Sequence, residues 1–253
     1  MMKHRVLASV ALSVALLGCE GLGKMFHKPT LAERIEGLKS SRPAHVRREN
    51  VRWIMEHPQK VSKEQKKEVV ELLSLLLLGD LDRLVRGYAA VALGRLQDDP
   101  DGIRALIEAM KRDKDTLVRC DAVKALLKYN DRAMIPEFAR VARSDRDSEV
   151  RQSAVNAIGA LGGKEAVPDL IDALRDRDAS VVFTASERLT DLTGQKLGLN
   201  QQAWREWWSE NREKPLGAKP ARPKKKKDAK AEKPKADKKK EEKKKKKKKL
   251  FFF

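Results

Sequence analysis

The sequence predicts an all-α protein: a right-handed α-solenoid of about five helical hairpins, closed by a C-terminal capping helix. Two observations lead to this prediction. A segment that begins Asp-x-x-Val-Arg recurs at nearly constant intervals, and within each copy apolar residues fall at positions i, i+4 and i+8. That spacing places them on one face of an α-helix. Stacked hairpins bury such faces against one another, so the repeat accounts for the fold.

Each copy of the segment is anchored by a valine. The later copies have Val85, Val118, Val150 and Val181, at steps of 33, 32 and 31 residues, and a weaker copy has Val46, 39 residues before Val85. Three positions before each of the later four valines stands an aspartate, well placed to accept hydrogen bonds from the free amides of a first helical turn. These predicted N-caps are Asp82, Asp115, Asp147 and Asp178.

A second amphipathic stretch precedes each of these helices and completes a hairpin. Pro136 and Pro168 suit the first turns of two such stretches, where no amide partner is lost. Residues 72–78, six leucines and a serine, predict a helix that is buried on most sides. The clearest stretches are residues 103–110, 134–141 and 167–174.

The copies also resemble a known repeat. Their pattern, D-x-x-V-R-x-x-A-x-x-A-L-G-x-L preceded by A-I-P-x-L, is similar to the short HEAT-like repeat of bacterial proteins, the type found in phycobilin lyases. The resemblance covers residues 29–194 and implies a solenoid that serves as a protein–protein interaction scaffold. Some relatives act on phycobilin chromophores, so an accessory lyase-type enzyme is an alternative, which predicts a coloured preparation with a bound chromophore.

The N-terminus has the features of an export signal. Residues 6–17 are apolar or small and follow a basic start. This run, about 18 Å as a helix, is too short to span a bilayer core of roughly 30 Å. It therefore predicts a signal peptide over residues 1–18.

The end of that run resembles the lipobox of bacterial lipoproteins. The residues are Leu16-Leu17-Gly18-Cys19, and the resemblance implies that Cys19 is acylated and that residues 19–28 form a tether. Two or more acyl chains hold a protein stably on a membrane. The predicted location is the bacterial cell envelope, lipid-anchored to the inner or the outer membrane. The alternatives are a plain secretory signal with an incidental cysteine, or an uncleaved anchor.

After the last repeat, residues 195–213 predict a capping helix. Asn200 can cap it, and its tryptophans lie at i, i+3 and i+4, on one face. Terminal repeats need a cover for their last apolar face, which this helix supplies. The alternative is an aromatic platform that recognises a sugar or a peptide. The tryptophans are Trp204, Trp207 and Trp208.

The last segment, residues 214–253, is a Lys-rich tail that we expect to be disordered. Up to residue 249 it holds 19 lysines and Arg222 against five acidic residues, a net +15 of the chain's +19. Residues 19–213 are thus nearly neutral. The tail is predicted to contact anionic lipids or wall polymers of the envelope, or else to be a solubilising spacer. Leu250–Phe253 is either an apolar membrane tag or a peptide without function.

No pattern in the sequence indicates catalysis, a cofactor or a metal. The four histidines show no i, i+4 pairing and no HExxH, and only two cysteines occur. Cys120 lacks a nearby histidine and is expected to be a small packing residue. We therefore predict no catalytic residues, no metal site, no cofactor and no enzymatic activity.

One arginine recurs in each of four copies, and stacking would align the four in a row. Such a row could bind a polyanion or an acidic partner. It could instead tie the repeats together by pairing with the aspartates at 82, 115 and 147, which have the same period. If the row and the tail acted together, the protein would bind nucleic acid, which is not expected in an envelope. The arginines are Arg47, Arg86, Arg119 and Arg151.

Overall fold

The structure is a computed structural model and describes residues 28–39, 41–97 and 99–216. Throughout these ranges the regular elements are helices, and no strand occurs. The predicted all-α class is confirmed. The α-helices are α1 (Leu31–Glu36), α2 (Ala44–Glu56), α3 (Lys63–Gly79), α4 (Arg83–Leu96), α5 (Pro100–Arg112), α6 (Thr116–Leu127), α7 (Ile135–Ser144), α8 (Ser148–Leu161), α9 (Ala166–Ala173), α10 (Ala179–Thr193) and α11 (Gln201–Asn211).

The helices follow one another as five hairpins, α1–α2 to α9–α10, and the two helices pack together in each hairpin from α3–α4 onwards; α11 follows. The second helices of the hairpins pack side by side, with α2 against α4, α4 against α6, α6 against α8 and α8 against α10. The first helices α3 and α5 also pack together. The described residues thus form the stacked α-solenoid that the repeat predicts, with a core that runs along its length.

The core is built from the anchor positions of the repeat. Each of the four later anchor valines is at most 1% exposed, as are the alanines four residues on. Gly94 lets α4 approach α6 closely, because a Cβ at this position would lie 2.7 Å from the Cβ of Ala125. A larger residue would force these two helices apart.

The predicted helix caps are confirmed. The carboxylate of Asp115 accepts from the amide of Leu117 at 3.0 Å, and the equivalent bonds form in α4, α8 and α10 at 2.8–3.0 Å. The side chain of Asn200 accepts from the amide of Ala203 at 3.1 Å and caps α11. Each cap supplies an acceptor to an amide that has no partner within its helix. The caps explain why the second helices begin where the aspartates stand.

The prediction for residues 72–78 is wrong in one respect. Leu73, Leu76 and Leu77 are buried, but Leu75 is 69% exposed and Leu78 is 52% exposed. The helix α3 packs against α4 and α5, which bury one face of its leucine-rich sequence and leave another in solvent. Leu81, in the following loop, is 87% exposed and extends this apolar surface.

Three predicted segments lie wholly outside the described residues. They are the signal peptide, the lipidation residue Cys19 and the terminal residues Leu250–Phe253, and most of the Lys-rich tail lies outside as well. None of the helices within the described ranges is both long and apolar enough to span a bilayer.

Candidate functional site

The recurring arginines form the most regular polar feature of the described structure. Each guanidinium makes a two-pronged contact with an aspartate of the following hairpin: Nε lies 2.6–2.9 Å from Oδ2, and Nη2 lies 2.8–3.0 Å from Oδ1. We call this set the arginine ladder. Its pairs are Arg47–Asp80, Arg86–Asp113, Arg119–Asp145 and Arg151–Asp176.

The ladder is continuous because each arginine after Arg47 also contacts the preceding pair. Nη1 of Arg119 donates to the backbone carbonyl of Asp113 at 3.0 Å, and Arg86 and Arg151 make the equivalent bonds to Asp80 and Asp145 at 2.9 and 3.0 Å. Every guanidinium from Arg86 onwards therefore joins the loop of its own hairpin to that of the next. Such fork-shaped bonds to a carboxylate are stronger and more directional than neutral hydrogen bonds.

The aspartates of the ladder are not those that the sequence indicated. The period favoured pairing with the aspartates at 82, 115 and 147, but those side chains cap their helices. The actual partners stand two residues earlier, in an Asp-x-Asp motif. The first aspartate also accepts the amide of the second, as in the 2.8 Å bond from Asp115 to Asp113. The repeated Asp-x-Asp motif was the signal in the sequence: its first aspartate pairs with the arginine and its second caps the helix.

The ladder is buried. The side chains of Arg86, Arg119 and Arg151 are 3–4% exposed, and that of Asp80 is 1% exposed. Burial, the largest influence on the Asp80 carboxyl, acts to raise its pKa, but the hydrogen bonds from Arg47 and from the amide of Asp82 outweigh burial and hold the pKa below its usual value. The guanidinium and the amide together thus favour the charged form of this buried carboxyl.

This geometry bears on the two interpretations of the arginine row. The forks of all four guanidiniums point to aspartates within the protein, and three of the arginines are almost inaccessible to solvent. A ligand would have to displace buried carboxylates to reach them. The structural interpretation, in which the row ties repeats together, accounts for these contacts; binding of a partner by the four arginines stays a prediction.

The three tryptophans of α11 differ in burial. Trp204 is fully buried, and its Nε1 donates to the carbonyl of Gly198 at 2.8 Å. Trp207 meets Trp204 edge-to-face at 6.1 Å between ring centroids, and Trp208 lies beside Trp207. Trp207 and Trp208 are half-buried and pack against the core. This arrangement is that of a cover over the last hairpin, with one ring as its anchor.

The surface carries open clefts between neighbouring first helices. One of about 770 Å³ is apolar and is lined by Leu72, Leu75 and Leu81 beside Lys39. Another of about 590 Å³ is basic, with Lys111, Arg112, Lys114, Arg140 and Arg146 at its walls. Within the described ranges no cluster of histidine, cysteine or acidic residues has the arrangement of a metal site. The clefts are suited to contacts with a surface or a segment of another molecule.

Cys120 is the cysteine that the structure describes, and it is 6% exposed. Burial raises the pKa of its thiol to about 11, so very little thiolate is present at neutral pH. We expect iodoacetamide to modify the folded protein at Cys120 far more slowly at pH 8 than the protein in urea, and the rate to rise up to about pH 11. Intact mass against time measures this. Equal rates in the folded and unfolded states would contradict the prediction.

Comparisons with known proteins agree with this architecture. The family model described as HEAT repeats matches residues 31–126, 69–157 and 103–191, which together cover more than half of the chain. The protein is therefore a repeat protein of the α-solenoid class. It belongs to the HEAT repeat family.

One solved structure with a similar fold is the complex of CpcE and CpcF of phycocyanin lyase from Nostoc sp. PCC7120. The TM-score is 0.52 and the identity 21%, over 73% of this chain and 70% of that one. At this identity the likeness concerns the fold. No curated protein matches the chain.

Proposed function

We propose that this protein is a membrane-anchored envelope lipoprotein whose HEAT solenoid is a scaffold for protein–protein interactions. Its acyl anchor is Cys19, and its basic tail contacts anionic envelope material. The observation that carries the scaffold role is the solenoid itself. Its buried polar groups join one hairpin to the next, and its described surface has open clefts that a segment of a partner protein could occupy.

The anchor is supported by the sequence. A basic start, a short apolar run and a cysteine at its end are the parts that lipoprotein processing requires. The described part of the chain starts at Lys28, nine residues after Cys19. A tether of that length extends about 30 Å at most, so the first hairpins of an anchored protein stay close to the lipid.

The test is membrane fractionation of the wild type beside Cys19→Ala, with the intact mass of each. We expect the wild type in the detergent-soluble membrane fraction, without residues 1–18 and with acyl mass that Cys19→Ala lacks. Cys120→Ala, which changes the other cysteine of the chain, is the matched control and should behave as the wild type does. If wild type and Cys19→Ala both remain soluble in the cytosol with residue 1 present, the anchor is refuted.

An accessory lyase-type activity is the second candidate, because the similar solved structure is a lyase complex. A coloured preparation with a chromophore bound to the protein would support it. The nucleic-acid alternative has less support than the sequence alone suggested, because it relied on arginines that the ladder already uses.

A further inference from the structure

One edge of the solenoid has a charge and hydropathy pattern that the ladder does not explain. It is formed where each first helix ends and its loop begins, at the equivalent residues 78–81, 111–114, 143–146 and 174–177; we call it the first-loop edge. The loops adjoin one another, because Arg146 donates to the carbonyl of Lys114 at 2.9 Å and Arg177 donates to the carbonyl of Arg146 at 3.1 Å.

The exposed positions of this edge are apolar at one end and basic along the rest. Directly after each ladder aspartate stands Leu81, Lys114, Arg146 or Arg177, and all four side chains are exposed. The first-helix ends follow the same rule. In α3 the exposed residues are Leu78 and Gly79, and at the ends of the next three first helices they are the basic Lys111, Arg112, Arg143 and Arg175 and the uncharged Ser144.

The acidic residues near the edge are already engaged. The ladder aspartates pair with arginines, and the capping aspartates bond to backbone amides. Lys111, Arg112 and Arg143 pair with carboxylates of the first helices. On the first-loop edge, four exposed basic side chains have no carboxylate partner among the described residues. They are Lys114, Arg146, Arg175 and Arg177.

We infer that the first-loop edge lies on an anionic lipid surface, with Leu78 and Leu81 in the apolar layer and the basic residues at the head groups. A membrane surface offers anionic head groups and, directly beneath them, an apolar layer. A nucleic acid offers phosphates but no apolar layer for Leu81. The apolar end belongs to the second hairpin, which stands closer in the chain to the proposed anchor at Cys19 than the basic loops do. In this respect the inference rests on the proposed lipid anchor.

The experiment measures binding of the full chain to vesicles by flotation, in a Cys19→Ala background so that acylation plays no part. The vesicles are phosphatidylglycerol with phosphatidylcholine, or phosphatidylcholine alone. The edge variant is Lys114→Glu/Arg146→Glu/Arg177→Glu. Its control is Lys128→Glu/Lys164→Glu/Lys196→Glu, which makes the same change in net charge in the loops that follow second helices.

We expect the edge variant to bind anionic vesicles at least tenfold more weakly than its control, since each basic residue at such a surface contributes several-fold. The tail and the N-terminus are the same in both proteins, so their binding cancels in the comparison. Equal weakening in the two variants would overturn the inference. So would an edge variant that loses affinity for a DNA duplex but not for vesicles, which would assign the edge to nucleic acid.

Two further variants test whether the apolar end enters the lipid and whether the edge variant is still folded. Leu81→Ser should weaken vesicle binding about fivefold at high salt, where charge is screened, whereas Leu199→Ser, another exposed leucine, should not. The variant Lys114→Gln/Arg146→Gln/Arg177→Gln, which loses only two exposed hydrogen bonds to neighbouring loops, should unfold within about 5 °C of the wild type and still bind more weakly than its own control, Lys128→Gln/Lys164→Gln/Lys196→Gln. Binding equal to that control would overturn the inference. Failure of acylation at Cys19 refutes the anchor and leaves this vesicle result unchanged.

Discussion

Arg119→Met is expected to destabilise the protein by about 3–5 kcal/mol. The change removes both bonds to Asp145 and the bond to the carbonyl of Asp113, and it leaves a carboxylate that is 8% exposed without its charge partner. Breaking a buried pair from one side has this cost because the remaining charge is neither paired nor hydrated. Urea unfolding followed by circular dichroism measures the loss.

The structure supplies a control for this prediction in Arg104→Met. Arg104 is 75% exposed and pairs with Asp101 one helical turn away, so its removal should cost well under about 1 kcal/mol. The double variant Arg119→Met/Asp145→Leu should recover part of the lost stability, since an apolar pair replaces the unpaired charge while the amide of Asp147 loses its acceptor. If Arg119→Met were no more destabilising than Arg104→Met, the ladder would not hold the repeats together.

Trp204→Ala is expected to cost about 3–5 kcal/mol, because a fully buried indole is removed and its place is poorly refilled. In Trp204→Ala, the amides of α10 and α11 should exchange with deuterium faster than they do in the wild type, since the cover of the last hairpin is lost. The increase should be smaller for the amides of α4. Trp204→Phe keeps an aromatic ring and loses the bond to Gly198, so its effect should be smaller.

Trp208→Ala is the matched comparison on the same helix. This ring is half-buried, so less apolar surface is lost and the expected effect is smaller than that of Trp204→Ala. If Trp208→Ala destabilised the protein as much as Trp204→Ala, the view that one tryptophan anchors the cover would be contradicted. That result would instead mean that the three rings act as a single unit.

The hairpins could be predicted from the sequence because their determinants are local. The spacing of Val118, Ala122 and Leu126 defines one helical face, and Asp115 marks the start of the helix, both within 12 residues. The final helix was predictable for the same reason, from Asn200 and the tryptophans that follow it. No long-range information is needed for such elements.

The ladder partners and the exposure of α3 depend on how hairpins stack. Asp113 and Asp115 are chemically identical, and only the position of the neighbouring loop decides which one meets Arg86. In the same way, Leu75 and Leu77 look equivalent in a leucine-rich run, but the stack buries Leu77 and leaves Leu75 in solvent. The first-loop edge was missed because it becomes visible only when the loops are aligned by repeat.

Because the second, third and fourth hairpins each contribute one aspartate and one arginine to the ladder, one hairpin is a unit that can be removed or duplicated as a whole. Removing residues 115–146 would join Lys114 to Asp147 and bring Arg151 to the carbonyl of Asp113, the position that Arg119 occupies now. Duplicating the same stretch would add one more pair without altering the others. A gene that encodes such an array can therefore lengthen or shorten its product by whole hairpins, and each product retains a continuous ladder.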